Sequence, residues 1–392
     1  MAVTEPLAVP VRDAGMAEKA VETPWYIWCA VLAVTSAMVG AHWDISWHSS
    51  IGRDTFWTPA HMAIYLCGLL SGVAFGYLIL HTTFSKTSEL ADSSVHIWGF
   101  RGPLGAFIAS WGGIAMLTSA PFDNWWHDAY GLDVKIVSPP HMVLFLGTYG
   151  VLAGTLVLIA GHANRSTGKA RDVAHYLFLY VTGVTLVMMM VLIMEYTGNS
   201  ILHRSLPYAI VSMLAPVPLA IGSRATGMKF AATTIAAIYT LCLIGFILIL
   251  PLFPAQPKLG PVYQNVTHFI PPQFPLLLIV PALALDLLWQ RTRRWNGLAI
   301  AAVSAIVFTG TLLAVEWPFA DFLMSPASRN RFFGTNYFWY GLPSNSFSAR
   351  HLFYLPETGW ALWKGIGVAI GLAAASISFG LSRGSWMEKV KR

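Results

Sequence analysis

Residues 41–70 read AHWDISWHSSIGRDTFWTPAHMAIYLCGLL. An apolar run that begins at Trp25 ends here in tryptophan, aspartate and histidine, turns through a short polar segment, and resumes as apolar sequence after Pro59. Each flanking run is long enough to cross the roughly 30 Å of hydrocarbon in a bilayer. Residues 120–149, APFDNWWHDAYGLDVKIVSPPHMVLFLGTY, repeat the arrangement. The first copy holds Asp44, His48, Gly52, Asp54, Thr58, Pro59, His61 and Met62; the second holds Asp123, His127, Gly131, Asp133, Ser138, Pro139, His141 and Met142. The two keep one offset as far as Asp133 and then differ by one inserted residue.

Composition agrees with a membrane protein. Of the 392 residues, 56% are hydrophobic and 11% charged, against about 25% charged in soluble chains. Apolar runs near 25–47, 59–82, 103–124, 139–161, 174–196, 205–223, 228–252, 272–290, 297–317 and 359–381 predict about ten spans. The fold class is therefore all-α, a polytopic membrane helical bundle with a duplicated metal-ligand helical hairpin. Residues 1–24 read as a cytoplasmic tail, 25–161 as the hairpin region, 162–317 as further spans, 318–358 as an extracytoplasmic loop or lid, and 359–392 as a last span with a basic tail. Cys29, Cys67 and Cys242 lie in apolar runs, which argues against disulfides and thiolate zinc sites.

Both termini and the loops holding Lys86, Arg101, Arg165, Lys169, Arg171, Arg224, Lys229, Arg291, Arg293 and Arg294 alternate onto one face. The opposite face carries fewer basic residues, among them Arg53, Lys135, Arg204 and Lys258. Basic loops stay cytoplasmic, so both termini are expected inside and both motifs outside. This accounts for the basic excess without a nucleic-acid partner.

Helix geometry predicts the motif's shape. Asp44 and His48, like Asp123 and His127, are four residues apart and share a helix face. Thr58 and Ser138 read as N-caps ahead of prolines at the first helical position, which puts His61 and His141 in the first turn of the returning span. Imidazole and carboxylate donors suit copper, iron or zinc, so Asp44, His48, His61, Asp123, His127 and His141 are the candidate metal ligands. Asp54, Asp133 and Glu195 are candidate catalytic carboxylates, orienting ligands or relaying protons. The competing account treats the polar residues as interfacial, within an aromatic belt of Trp43, Trp47, Trp57, Trp125 and Trp126. Repetition of six ligand-type residues favours the metal. Weaker echoes occur at Glu195, His203, His268, Gln273 and Glu316; His42 falls off the Asp44 and His48 stripe and reads as a hydrogen-bonded helix residue.

The spacing D-x3-H-x12-H of Asp44, His48 and His61 resembles the copper ligand set in the integral-membrane C subunit of particulate methane and ammonia monooxygenases. The resemblance covers this constellation alone, and the second copy reads D-x3-H-x13-H. It implies copper-dependent oxygen activation and oxidation of a small apolar or lipid substrate, with an electron donor or additional subunits as partners besides the lipid bilayer. A zinc-dependent lipid hydrolase, and a metal or proton transporter or metal-binding subunit, are the alternatives. Ionisable residues concentrate at one face of the membrane, which favours an enzyme or metal-binding subunit over a transporter.

Overall fold

The computed structural model describes residues 23–52, 55–85, 90–130, 138–194, 203–258, 265–292, 295–334, 337–338 and 356–391. Its helices are α1 (Trp25–Ser50), α2 (Pro59–Phe84), α3 (Leu104–Tyr130), α4 (Pro139–Arg165), α5 (Gly168–Leu192), α6 (Ser205–Leu214), α7 (Pro216–Thr226), α8 (Ala231–Ile249), α9 (Ile279–Arg291), α10 (Gly297–Leu323) and α11 (Gly359–Met387). Counting α6 and α7 together, nine helical segments among the described residues are long and apolar enough to span a membrane. The protein is thus an all-α, multi-pass membrane bundle. The lone sheet among the described residues pairs β1 (Val95–Ile97) with β2 (Phe100–Gly102) between α2 and α3. Its turn places Trp98 and Gly99 at positive φ, as the tight turns of two-residue hairpins require.

Small residues set how closely the helices approach. At the α3–α4 contact, a Cβ on Gly112 would fall 2.6 Å from the Gly147 carbonyl oxygen. Only glycine permits that approach, and close backbone packing of this kind replaces the hydrophobic driving force that lipid cannot supply. In α1, Ile27, Ala30, Val34 and Met38 form a buried stripe at helical spacing. Helix α5 lies inside the bundle against α1, α4, α7 and α8, and α11 closes the far side against α6, α7 and α10.

The expected span at 272–290 forms differently. Its helix begins only at Ile279, after the irregular chain of 265–278. Pro271, Pro272 and Pro275 explain the break, because each lacks a donor N–H and clashes with a continuing helix. Irregular backbone persists at membrane depth only where the protein satisfies its polar groups, and here side chains do so. The Ser50 hydroxyl accepts from the Ile270 N–H at 2.7 Å, and Ser46 donates to the Ile270 carbonyl at 2.6 Å. Tyr239 accepts from the Leu276 N–H at 3.1 Å, and Glu316 accepts from the Leu277 N–H at 2.5 Å.

The segment expected as a loop from 318 starts later, since α10 continues to Leu323. Residues 335–336 and 339–355 of the expected lid, and 1–22 of the expected tail, lie outside the described residues.

Candidate functional site

Helix α1 carries Asp44 and His48, and α2 delivers His61 in its first turn. The Asp44 carboxylate stands between the two imidazoles: Oδ2 is 3.7 Å from His48 Nε2, and Oδ1 is 3.3 Å from His61 Nε2. Helices α3 and α4 reproduce this atom for atom. Asp123 Oδ2 is 3.4 Å from His127 Nε2, and its Oδ1 is 3.7 Å from His141 Nε2. The i, i+4 spacing supplies the first contact of each triad, and the start of the returning helix supplies the second. The triads differ in exposure, since the His48 side chain is 40% accessible and that of His127 14%.

Capping separates them as well. The Ser138 hydroxyl accepts from the His141 N–H at 3.4 Å, fixing the first turn of α4. Thr58 holds the N-cap position but its side chain makes no capping hydrogen bond, a departure from the expected cap. Pro59 at the first helical position sets the start of α2 instead.

The two copies meet across a small polar pocket of about 50 Å³. Thr55, Phe56, His61 and Tyr65 line it from one copy, and Ala120, Asp123, Asn124, His127 and Asp128 from the other. Of the six expected ligands, His61, Asp123 and His127 thus share one cavity. Asp44 joins them through His61, and His141 through Asp123; His48, the most exposed of the four histidines, is not among the lining residues. Tyr65 and Asp128 were not singled out from sequence, although Tyr65 follows His61 by four residues and its ring lies 5.8 Å away. Asp128 accepts from the Asn124 amide at 3.4 Å. Asp54, Asp133 and Glu195 lie outside the described residues.

The donor chemistry fits a borderline transition metal. Donors on a tetrahedral ion with bonds of about 2.1 Å stand roughly 3.4 Å apart, which is the scale of the four aspartate–histidine separations. The triads are nonetheless open: among the described residues, no group of three or more His, Cys, Asp and Glu side chains is arranged to hold an ion. Among the described residues His127 Nδ1 is also buried without a hydrogen bond, whereas metal-bound imidazoles usually donate from the second nitrogen. Spacing within each Asp–His pair fits the donor separation of such an ion.

Among the described residues, the weaker echoes do not build a third triad of this form. His203 Nε2 is 3.1 Å from Asp321 Oδ1 and packs edge-on against Trp317. His268 bonds Tyr337 at 2.5 Å; burial, and then the charge of Arg331, holds its imidazole pKa below the usual value. His42 Nδ1 lies 2.9 Å from the Met38 carbonyl and its ring stacks on Phe246, the role expected of it. The aromatic belt divides: Trp57 and Trp125 are exposed, while Trp43 and Trp47 pack against a cluster of Leu250, Ala255 and Phe269.

Compared with known proteins, the chain matches no family model, no curated protein and no solved structure.

Proposed function

We propose that this chain is a membrane-embedded metal-dependent oxidoreductase whose two Asp-His-His sets bind copper, with iron as the alternative, and which oxidises a small or lipophilic apolar substrate. The observation that supports this reading above all is the repeated placement of one carboxylate between two imidazoles, with the two sets meeting at one pocket. Asp44, His48 and His61 would hold one ion, and Asp123, His127 and His141 the other. The redox assignment rests on the resemblance of the first set to the copper ligands of the monooxygenase subunit.

A bound copper or iron with open positions supplies oxygen activation. The chain's own part is to bind and to orient. Each aspartate fixes two imidazoles by facing both Nε2 atoms. Phe56 and Tyr65 present apolar surface to the pocket, and Asp128 sits beside His127 to accept or return a proton there. The site faces outward in this reading, with both termini cytoplasmic and residues 265–291 making a tenth, broken crossing beside the nine long helical segments.

Asp128 also favours a second reading. A carboxylate in the same pocket as an imidazole set is what a zinc hydrolase needs to take a proton from metal-bound water. Oxygen isotopes separate the two: purified protein supplied with copper or iron, a reductant and candidate hydrocarbons or lipids is expected to place oxygen from labelled gas in the product. Label arriving from water alone would overturn oxidation and support hydrolysis.

A further inference from the structure

The other face of α1 borders a second and larger cavity. Asp44 and His48 occupy one stripe of the helix, while His42, Ile45, Ser46 and Ser49, at the spacing i, i+3, i+4, i+7, occupy another that lines this cavity. Its volume is about 140 Å³, close to the roughly 150 Å³ of an engineered apolar cavity that takes up benzene. Phe274, Phe319, Met190 and Met324 supply aromatic and thioether surface, which suits a flat aromatic ring better than a branched aliphatic one.

Glu316 has spare hydrogen-bonding capacity at the most deeply buried point of the polar wall. Glu316 is 1% exposed and lines the cavity. Its Oε1 accepts from the Leu277 N–H, while Oε2 is buried and makes no hydrogen bond among the described residues. Around it, Tyr239 accepts from Leu276, Ser46 donates to Ile270 and Ser49 donates to Ile45, while His203 Nε2 stands 3.1 Å from Asp321 Oδ1 and Gln273 also lines the wall. A carboxyl oxygen left unpartnered in an apolar enclosure is costly. A hydroxyl carried on the ring that fills the cavity would satisfy it.

We propose that this cavity is a binding site for a small phenolic ring, with its hydroxyl donating to Glu316 Oε2 and its ring against Phe274, Phe319 and the methionines. The ring comes either from a free phenol or from the headgroup of a lipid-tethered one. The proposal stands apart from the metal reading, because none of these cavity residues belongs to the two Asp-His-His sets.

Equilibrium dialysis of the full chain in detergent tests it, with radiolabelled phenol and toluene as probes and empty micelles subtracted. The two probes have nearly the same shape, and only phenol can donate. Wild-type protein is expected to bind phenol at least as tightly as toluene, and Glu316→Leu to reverse the order by roughly tenfold, the effect of one lost hydrogen bond to a buried carboxyl group. Ala320→Leu, which fills the cavity from its wall, is expected to abolish saturable binding of both. Competition by 4-butylphenol assigns a tethered ring, and failure to compete assigns a free phenol. A wild-type preference for toluene, or phenol binding unchanged by Ala320→Leu, overturns the site; so does the absence of saturable binding, which would leave water as Glu316's partner. The wild-type preference is decisive even where Glu316→Leu does not fold.

Discussion

Asp44 reaches across the α1–α2 turn to His61, Oδ1 to Nε2 at 3.3 Å, and so ties the end of one apolar helix to the first turn of the next. His61 in turn borders the pocket that holds Asp123 and His127. Asp44 therefore acts on the shared pocket through His61, whereas His48 meets the same carboxylate without lining that pocket.

That asymmetry gives an ordered expectation for alanine substitutions. His127→Ala and His61→Ala should each reduce activity by about a hundredfold or more, within the range for losing a group that acts at the reacting centre. His48→Ala should cost less, because its side chain is the most exposed of the four histidines. Rates measured on variants inserted at wild-type levels check this. A larger loss for His48→Ala than for His127→Ala would place the chemistry outside the shared pocket.

Close packing of α3 on α4 should be as necessary as the ligands themselves. A Cβ at Gly112 would collide with the Gly147 carbonyl oxygen, so Gly112→Leu must separate the helices that carry Asp123, His127 and His141. The expected result is destabilisation of about 1–3 kcal/mol or more, as for overpacking, with loss of activity. Retention of wild-type melting temperature by Gly112→Leu would contradict the packing described.

Stability should depend on pH through the contact before α11. The hydroxyl of Ser205, followed by its N–H, donates to Glu357 Oε2 at 2.6 and 2.7 Å and holds this carboxyl below its ordinary pKa. A group depressed on folding contributes stability above its unfolded pKa and loses it as pH falls through the folded one. Glu357→Gln should therefore lower Tm at neutral pH, with the difference shrinking as the medium is acidified below the ordinary glutamate range. A difference that is constant, or that grows with acid, would show that Ser205 does not stabilise the charged form.

Orientation can be read by labelling single introduced cysteines from outside intact cells, against the wild-type background. Ala327 follows α10 at the motif end of the bundle, and Lys169 opens α5 at the opposite end; both are exposed. Ala327→Cys should label and Lys169→Cys should not. The reverse pattern would put the pocket on the cytoplasmic side.

Much of the bundle was legible because span length and helix spacing are local properties. Asp44 four residues before His48, and Pro59 two before His61, fix where those side chains sit before any tertiary contact forms. The segment at 272–290 misled because its apolar content suits a span, while Pro271, Pro272 and Pro275 forbid the helix there. Its backbone is then completed by Ser50, Tyr239 and Glu316, partners 37 to 220 residues away in sequence. Glu316 read as one weak echo for the same reason: its role depends on Leu277 and on a cavity wall assembled from distant helices. Tyr65 and Asp128 were hidden differently, since a tyrosine and an aspartate beside a motif carry no signal until two copies face one another.

Metal content per chain tests the central proposal most directly. Protein purified without added metal, then dialysed against a weak chelator, should retain copper or iron by mass spectrometry, and His61→Ala and His127→Ala should each lose it while remaining folded and inserted. A wild-type chain that holds no metal after loading, or wild-type metal content in both variants, would contradict it and return the repeated histidines and aspartates to a place at the membrane interface.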